Sequence, residues 1–512
     1  MAEYDFIVVG AGSAGCAVAG RLASQSSAKV LLIEAGGSDR RLTIRAPMLY
    51  ALQRGTSLDW AYESEPEPEC GDRRIPQPRG RALGGTSGMN AMLWIKGSTL
   101  DYDGWKLPGW TWDDVAPVFE RMESGPKHVS RVPCVDELSQ RFVAAARAAG
   151  VPANDDVSGP ELDGAAISPV TILEGQRWNT ARGYLRGQPN LTIVTKAEVR
   201  RIIIRNGRAV GVEYRRRRRV QQAFADQEVV VSAGVFGTPQ ILQISGIGPA
   251  DHLRGVGIAP VVDSPAVGRG LTDHPHAITK WALAPGFTGL SDAGSPKWLL
   301  QWLLRRSGKF SSNAAEAVAH IRSTPDLPAC DFQLIFVPID VQATSLRGMQ
   351  PALSVAASYW TPKSRGSVLV RSSDPAAAPE IRLNMLSERE DLDALVRAVR
   401  RTREIMATEP IASAVGRELL PGSAIDVEES IRQNMITTSH PACSVAMGTQ
   451  SDSALDETLR VRGVDGLRVA DASSLPVIPR ANTNAPAIMI GERCADFLLE
   501  HAAFGPSAAM TI

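Results

Sequence analysis

Residues 5–36 constrain this chain more than any other stretch. Residues 6–9 form a short apolar run of the kind buried on both faces of a parallel sheet. Gly10-Ala11-Gly12-Ser13-Ala14-Gly15 follows, a complete GxGxxG. Residues 14–24 are helix-forming, with small side chains on the face toward the sheet, and residues 30–33 make a second apolar run that ends at Glu34. Each part has a physical task. Gly10 permits a tight turn, Gly12 lets the backbone approach a pyrophosphate, and Gly15 lets helix and strand pack closely. Ser13 and Ala14 open the helix, whose unpaired N–H groups point at phosphate. Glu34, with Ala35 beside it, can accept hydrogen bonds from ribose hydroxyls, and it repels a 2′-phosphate. A glycine turn alone is common, but strand, turn, helix, strand and acid in register predict a dinucleotide site. The motif does not separate FAD from NAD.

Composition narrows the alternatives. The chain has 512 residues, enough for two to three domains, and its 44% apolar content can build a sizeable core. A formal net charge of zero argues against nucleic-acid or polybasic membrane binding. No apolar run is long enough to cross a bilayer. The first residues carry no basic region, separate apolar stretch or small-residue cleavage site, so no signal peptide is predicted and the cytoplasm is the expected location. The six cysteines, at 16, 70, 134, 330, 443 and 494, are scattered, which predicts free thiols and no metal site. Arg215 to Arg219 form a basic run without interleaved aromatics, read as a solvated hairpin tip.

A second glycine cluster occupies residues 78–97. Gly84-Gly85-Thr86-Ser87 offers close backbone N–H groups, which suit a phosphate or a flavin edge, and an apolar run at 91–95 follows. From 78 to 90 the chain resembles the first signature of the glucose–methanol–choline (GMC) flavoprotein family. The second signature is similar over 234–248, with Val235 in place of a small residue. Residues 268–274, ending Asp273-His274, resemble a GxNLxDH segment, with Gly270 replacing Asn. Asp471-Ala472-Ser473, Asn482-Thr483-Asn484-Ala485-Pro486 and Gly491-Glu492-Arg493 resemble the family's C-terminal segment. The resemblance spans nearly the whole chain in the expected order.

That resemblance implies an α/β plus α+β fold. A discontinuous Rossmann-like FAD-binding domain would comprise 1–155, 190–274 and 431–512. A substrate domain, 156–189 and 275–430, would be built on a large, mostly antiparallel sheet. The cofactor implied is FAD. A histidine just before Asn90 can carry it covalently in the family, but Met89 stands there, so non-covalent binding is implied. Beyond the glycine turn and Glu34, the implied FAD contacts are Arg81, Gly84, Gly85, Thr86, Asn90, Ala91, Met92, Val199, Ala233, Gly234, Asp471, Ala472, Asn482 and Thr483. Independently, Asn206-Gly207 between two apolar runs predicts a hairpin, and residues 387–407 read as an amphipathic helix.

Family members carry a flavin-facing histidine before a proline, a position filled here by His440-Pro441. His128, His252, His274, His276, His320 and His501 lack that context. Oxidising an alcohol removes a hydride from carbon and a proton from oxygen, so the flavin N5 needs a partner base. A neutral imidazole, with an ordinary pKa of about 6.5, suits the task. The second member of the pair falls at Asn482, whose amide is expected to hydrogen-bond the substrate oxygen. Pro486 suits the first turn of a helix whose positive end would face the flavin. The implied reaction is oxidation of a small primary alcohol to an aldehyde, most simply with O2 as acceptor. Pyridoxine is the leading substrate expectation and furfuryl or aryl alcohols the next. A choline-type dehydrogenase with another acceptor, or a hydroxynitrile lyase, are the rivals. The sequence leaves the oligomeric state open, with a monomer preferred.

Overall fold

The apolar runs at either side of the glycine turn become neighbouring strands. In the computed structural model, which describes residues 3–342, 348–422 and 424–501 (the His501 side chain lies outside these), Tyr4–Val9 pairs in parallel with Val30–Glu34. On its other side it pairs in parallel with the end of Arg219–Val231, so that Val8 lies between Leu32 and Val230. Leu191–Thr195 and Leu467–Val469 complete this parallel sheet at its two edges. Such a sheet, covered on both faces, needs strands that are apolar throughout, which is what the sequence supplies.

Arg219–Val231 is long enough to serve two sheets. Its first half pairs antiparallel with Arg208–Arg216, which pairs with Ala197–Arg205. Asn206 and Gly207 turn the first hairpin with φ of 51° and 76°, the left-handed pair of a two-residue turn. Arg217 and Arg218 turn the second, so the arginine run is an exposed hairpin tip.

Helix Ser13–Gln25 packs against the C-terminal helix Asn484–His501. A Cβ on Gly491 would stand 2.5 Å from the Ala14 carbonyl oxygen, so only glycine allows this approach. Fully buried Glu492 ties the helices together by accepting from Arg21, from Arg121 Nε at 3.0 Å and from Tyr184 Oη at 2.7 Å. Buried charge of this kind is tolerable only when fully partnered.

The second large sheet is antiparallel. Its strands run in the order Val415–Leu420, Pro275–Leu283, Ala352–Tyr359, Phe332–Val337, Ala317–Ile321 and Gly164–Ile167, with Ile436–Thr437 also paired to Pro275–Leu283. Alternation of side chains across the strand divides its two faces. Leu334 and Phe336 join Leu392, Leu395 and Val399 of the amphipathic helix Arg389–Met406 in one core. Ile335 and Val337 point the other way, into the cavity described below. Helix Glu137–Ala148 also packs here, with Phe142 stacked on Phe336 at 4.8 Å. Gly366–Leu369 lies in a separate three-stranded sheet with Arg269–Leu271 and Glu380–Arg382.

Candidate active site

Between the two large sheets lies one cavity of about 1250 Å³. One wall is the first glycine turn, the other the second glycine cluster, and they touch. A Cβ on Gly85 would come within 2.7 Å of the Gly12 Cα, and Gly85 itself adopts φ 51°. Gly10, with φ 94°, leaves no room for a side chain beside the Ser232 carbonyl, 2.4 Å from its would-be Cβ. Around Gly12 the cavity side stays open, with Ser232 O at 3.9 Å as the nearest neighbour of a Cβ there. Glycines at these points therefore form a cradle of bare backbone at the N-terminus of Ser13–Gln25, the arrangement that accepts a pyrophosphate.

Glu34 ends its strand at the cavity wall. Its Oε2 accepts the Ala11 N–H at 2.9 Å and its Oε1 the Gly36 N–H at 2.7 Å. Each oxygen keeps a further lone pair for a ribose hydroxyl. Burial pushes the carboxyl up to about 7, opposed by those two N–H groups and by Arg81. Cradle, acid and a cavity of this volume fit the dinucleotide FAD.

Of the residues singled out in the sequence, Gly10, Gly12, Ser13, Ala14, Glu34, Ala35, Gly85, Thr86, Asn90, Ala91, Met92, Val199, Ala233, Gly234, Asp471, Ala472, Asn482, Thr483 and His440 line this one cavity. Three do not. Gly15 lies behind the turn, where a Cβ would meet the Gly10 oxygen at 1.9 Å. Gly84 faces Asn179. Arg81 is not in the lining but behind it, its guanidinium stacked on cavity-lining Trp60 at 4.6 Å and 3.8 Å from Glu198. Asp471 spends its carboxylate on protein: Oδ2 accepts Gly234 N–H and Thr238 Oγ1–H at 2.9 and 2.6 Å, and Oδ1 accepts Ser473 N–H at 2.8 Å.

The reactive groups converge on the same cavity. Ser439 holds a left-handed φ of 61°, which swings His440 inward from the short strand Ile436–Thr437. Asp273 Oδ1 accepts both the His440 and the His274 backbone N–H at 2.8 Å, pinning the two segments together. The rings then meet edge to face, Nδ1 to Nδ1 at 3.1 Å. Asn482 Nδ2 lies 3.2 Å from His440 Nε2. An amide nitrogen only donates, so Nε2 carries the lone pair and Nδ1–H donates to His274. Burial holds the His440 imidazole well below its usual pKa, reinforced by His274, Arg79 and His276. Burial likewise takes His274 down to about 3 and His276 to about 4. This is a neutral, desolvated imidazole whose one lone pair, on Nε2 at the cavity wall, takes the Asn482 amide hydrogen.

Several residues here escaped the sequence reading. His274 was set aside as lacking context, yet it partners His440; the Asp273-His274 pair inside a recognised segment was the available signal. Arg79, not Arg81, lines the cavity, and its Nη2 donates to the Ser439 carbonyl at 2.8 Å. His276 lines the wall with both ring nitrogens unpartnered. Gln333 hydrogen-bonds Asn482, and no local pattern pointed to it.

Comparison with known proteins agrees with this geometry. The two parts of the GMC oxidoreductase family model match residues 4–276 and 362–491. An oxygen-dependent choline dehydrogenase of Sinorhizobium fredii is 38% identical over 97% of this chain and 96% of its own length. One from Burkholderia ambifaria is 39% identical over 96% and 93%. Among solved structures, pyridoxine 4-oxidase from Mesorbium loti superposes with a TM-score of 0.88 at 28% identity, covering 98% of this chain and 100% of that one. A variant of Aspergillus oryzae formate oxidase gives 0.91 at 28%, covering 98% and 99%. The chain belongs to the GMC oxidoreductase family and is an FAD-dependent alcohol oxidoreductase.

Proposed function

We propose that this chain oxidises a small, neutral primary alcohol to its aldehyde, with His440 as proton acceptor and O2 as the final electron acceptor. The observation that carries the reading is the 3.2 Å pairing of His440 Nε2 with Asn482 Nδ2 at the cavity wall. A hydroxyl that displaces the Asn482 N–H from this single lone pair donates its proton to Nε2 and accepts the freed amide hydrogen. As the O–H bond breaks and the N–H bond forms, the alcohol carbon becomes able to release hydride. The glycine cradle, Glu34 and the other cavity residues named above would hold FAD non-covalently, and FAD would supply the acceptor for that hydride. Met89 lines the cavity where a covalent link would need a histidine. Six free thiols, five of them buried, support a cytoplasmic setting.

The wall facing the antiparallel sheet supports the choice of substrate. Ile278, Ile335, Val337, Ile339 and Met48 are apolar, while His276 and Arg54 add hydrogen-bonding groups without negative charge. A ring-bearing alcohol with a second polar substituent suits that mixture, and pyridoxine is the first candidate. The choline dehydrogenases among the relatives favour a quaternary ammonium alcohol instead. That cation wants an aromatic cage; Tyr50 lines the cavity beside Met48 and Asp340 beside Ile339, so the two readings are separated by measurement. The test is anaerobic mixing of the holoenzyme with pyridoxine, hydroxymethylfurfural, benzyl alcohol and choline. A ring-bearing alcohol should bleach the flavin absorbance fastest; fastest bleaching by choline would overturn the substrate reading. Turnover with O2 against an artificial dye then decides the acceptor.

A further inference from the structure

His440 can act as a base only if its ring proton sits on Nδ1. The reason it does so lies further back than Asn482. Gln333 is fully buried in strand Phe332–Val337, on the same face as Ile335 and Val337. Its Nε2 donates to Asn482 Oδ1 at 3.2 Å and to His320 Nε2 at 3.1 Å. Asn482 Nδ2 returns a bond to Gln333 Oε1 at 3.4 Å and makes the 3.2 Å contact with His440 Nε2. Two amides thus face each other, and each sends its second hydrogen to an imidazole.

The directions in this chain are forced from one end. His320 Nδ1 lies 3.0 Å from the Leu162 carbonyl oxygen, which only accepts, so Nδ1 carries the proton and Nε2 a lone pair. That lone pair requires the NH2 end of Gln333. The remaining hydrogen of this NH2 requires the oxygen end of Asn482, which leaves the Asn482 NH2 toward His440. We propose that Gln333 is a positioning residue: with His320 behind it, it transmits the orientation fixed at the Leu162 carbonyl to Asn482 and so holds His440 as the Nδ1–H tautomer. Were the Asn482 amide to flip, its oxygen would face Nε2, draw the ring proton there, and leave nothing to accept the alcohol proton. The inference rests on the reading of His440 as the base.

Two variants test it in the FAD-loaded enzyme. Gln333→Met keeps the volume and removes the amide. Its kcat should fall about tenfold or more with little change in KM, the size expected for one lost orienting hydrogen bond. In ¹⁵N spectra of histidine-labelled protein, the His440 Nε2 signal, assigned by its loss in His440→Ala, should move from the unprotonated toward the protonated range. Gln333→Glu adds a carboxyl between His320 and Asn482, with His440 the next titratable group along. As it ionises it can only accept, which turns the Asn482 NH2 away from His440. Its rate should therefore fall with rising pH over the range where the wild type is flat. Wild-type kcat, pH profile and Nε2 signal in both variants would overturn the proposal, even where His440→Ala is inactive. Full turnover in His440→Ala would instead overturn the base assignment on which the proposal rests.

Discussion

Replacing Gly85 by alanine should weaken FAD binding far more than the loss of one hydrogen atom suggests. The new methyl carbon would stand 2.7 Å from the Gly12 Cα, and that neighbour is backbone, so no flexible side chain can yield. Overpacking of this kind costs about 1–3 kcal/mol. Gly85 also has φ 51°, where a side chain costs a further ~1–2 kcal/mol. The empty protein can relieve both by letting the two glycine turns part. The bound dinucleotide needs them closed, so the strain appears as lost affinity. Even the lower sum, about 2 kcal/mol, corresponds to a roughly thirtyfold rise in the FAD Kd. Flavin fluorescence titration of the stripped protein measures it. Gly88→Ala is the control from the same cluster, because its Cβ would find only the Ile44 Cγ2 at 3.7 Å and the Asn179 Nδ2 at 3.9 Å, ordinary contact distances. If Gly85→Ala and Gly88→Ala bound FAD equally well, the cradle argument would be wrong.

Two further outcomes follow from buried charge. Because burial first, and then His274, the Arg79 cation and His276, depress the His440 pKa, the ring stays neutral as pH falls through its ordinary value of about 6.5; kcat/KM should hold its plateau there and decline only in more acid solution. Asp273, raised to about 7 by burial, becomes neutral on the same descent and strengthens that trend. An acid limb at or above neutrality in a kcat/KM profile would contradict it. Glu492→Leu removes a fully buried acceptor from Arg21, Arg121 and Tyr184, while Asp496 still pairs with both arginines, so chemical denaturation should show about 1–3 kcal/mol of lost stability; an unchanged midpoint would refute the packing account of the two helices.

What the sequence disclosed, and what it hid, has a physical pattern. The first strand, glycine turn, helix and Glu34 were legible because their relations are local, with each residue's task set by neighbours a few positions away. The hairpin at Asn206-Gly207 was legible for the same reason. His440 and Asn482 were found through resemblance, and their contact spans 42 positions. The His274 partner is 166 positions from His440, and nothing in its own neighbourhood announces a ring-to-ring contact. Gln333 is hidden by its strand, since one polar residue in an apolar run reads as an ordinary interruption. Arg79 and Arg81 are two residues apart in a coil segment, and only the path of that coil decides which one enters the cavity. The sheet that Gly366–Leu369 joins was not legible, because pairing partners are chosen by tertiary geometry.

The central claim is that the His440 Nε2 lone pair takes the alcohol proton as hydride leaves the carbon. Stopped-flow reduction of the FAD-loaded His440→Ala variant by a reactive alcohol, without oxygen, addresses it directly. The variant should retain its flavin yet bleach about 10²–10⁴ times more slowly than the wild type, the usual contribution of a general base. Bleaching at the wild-type rate would show that the proton leaves by another route.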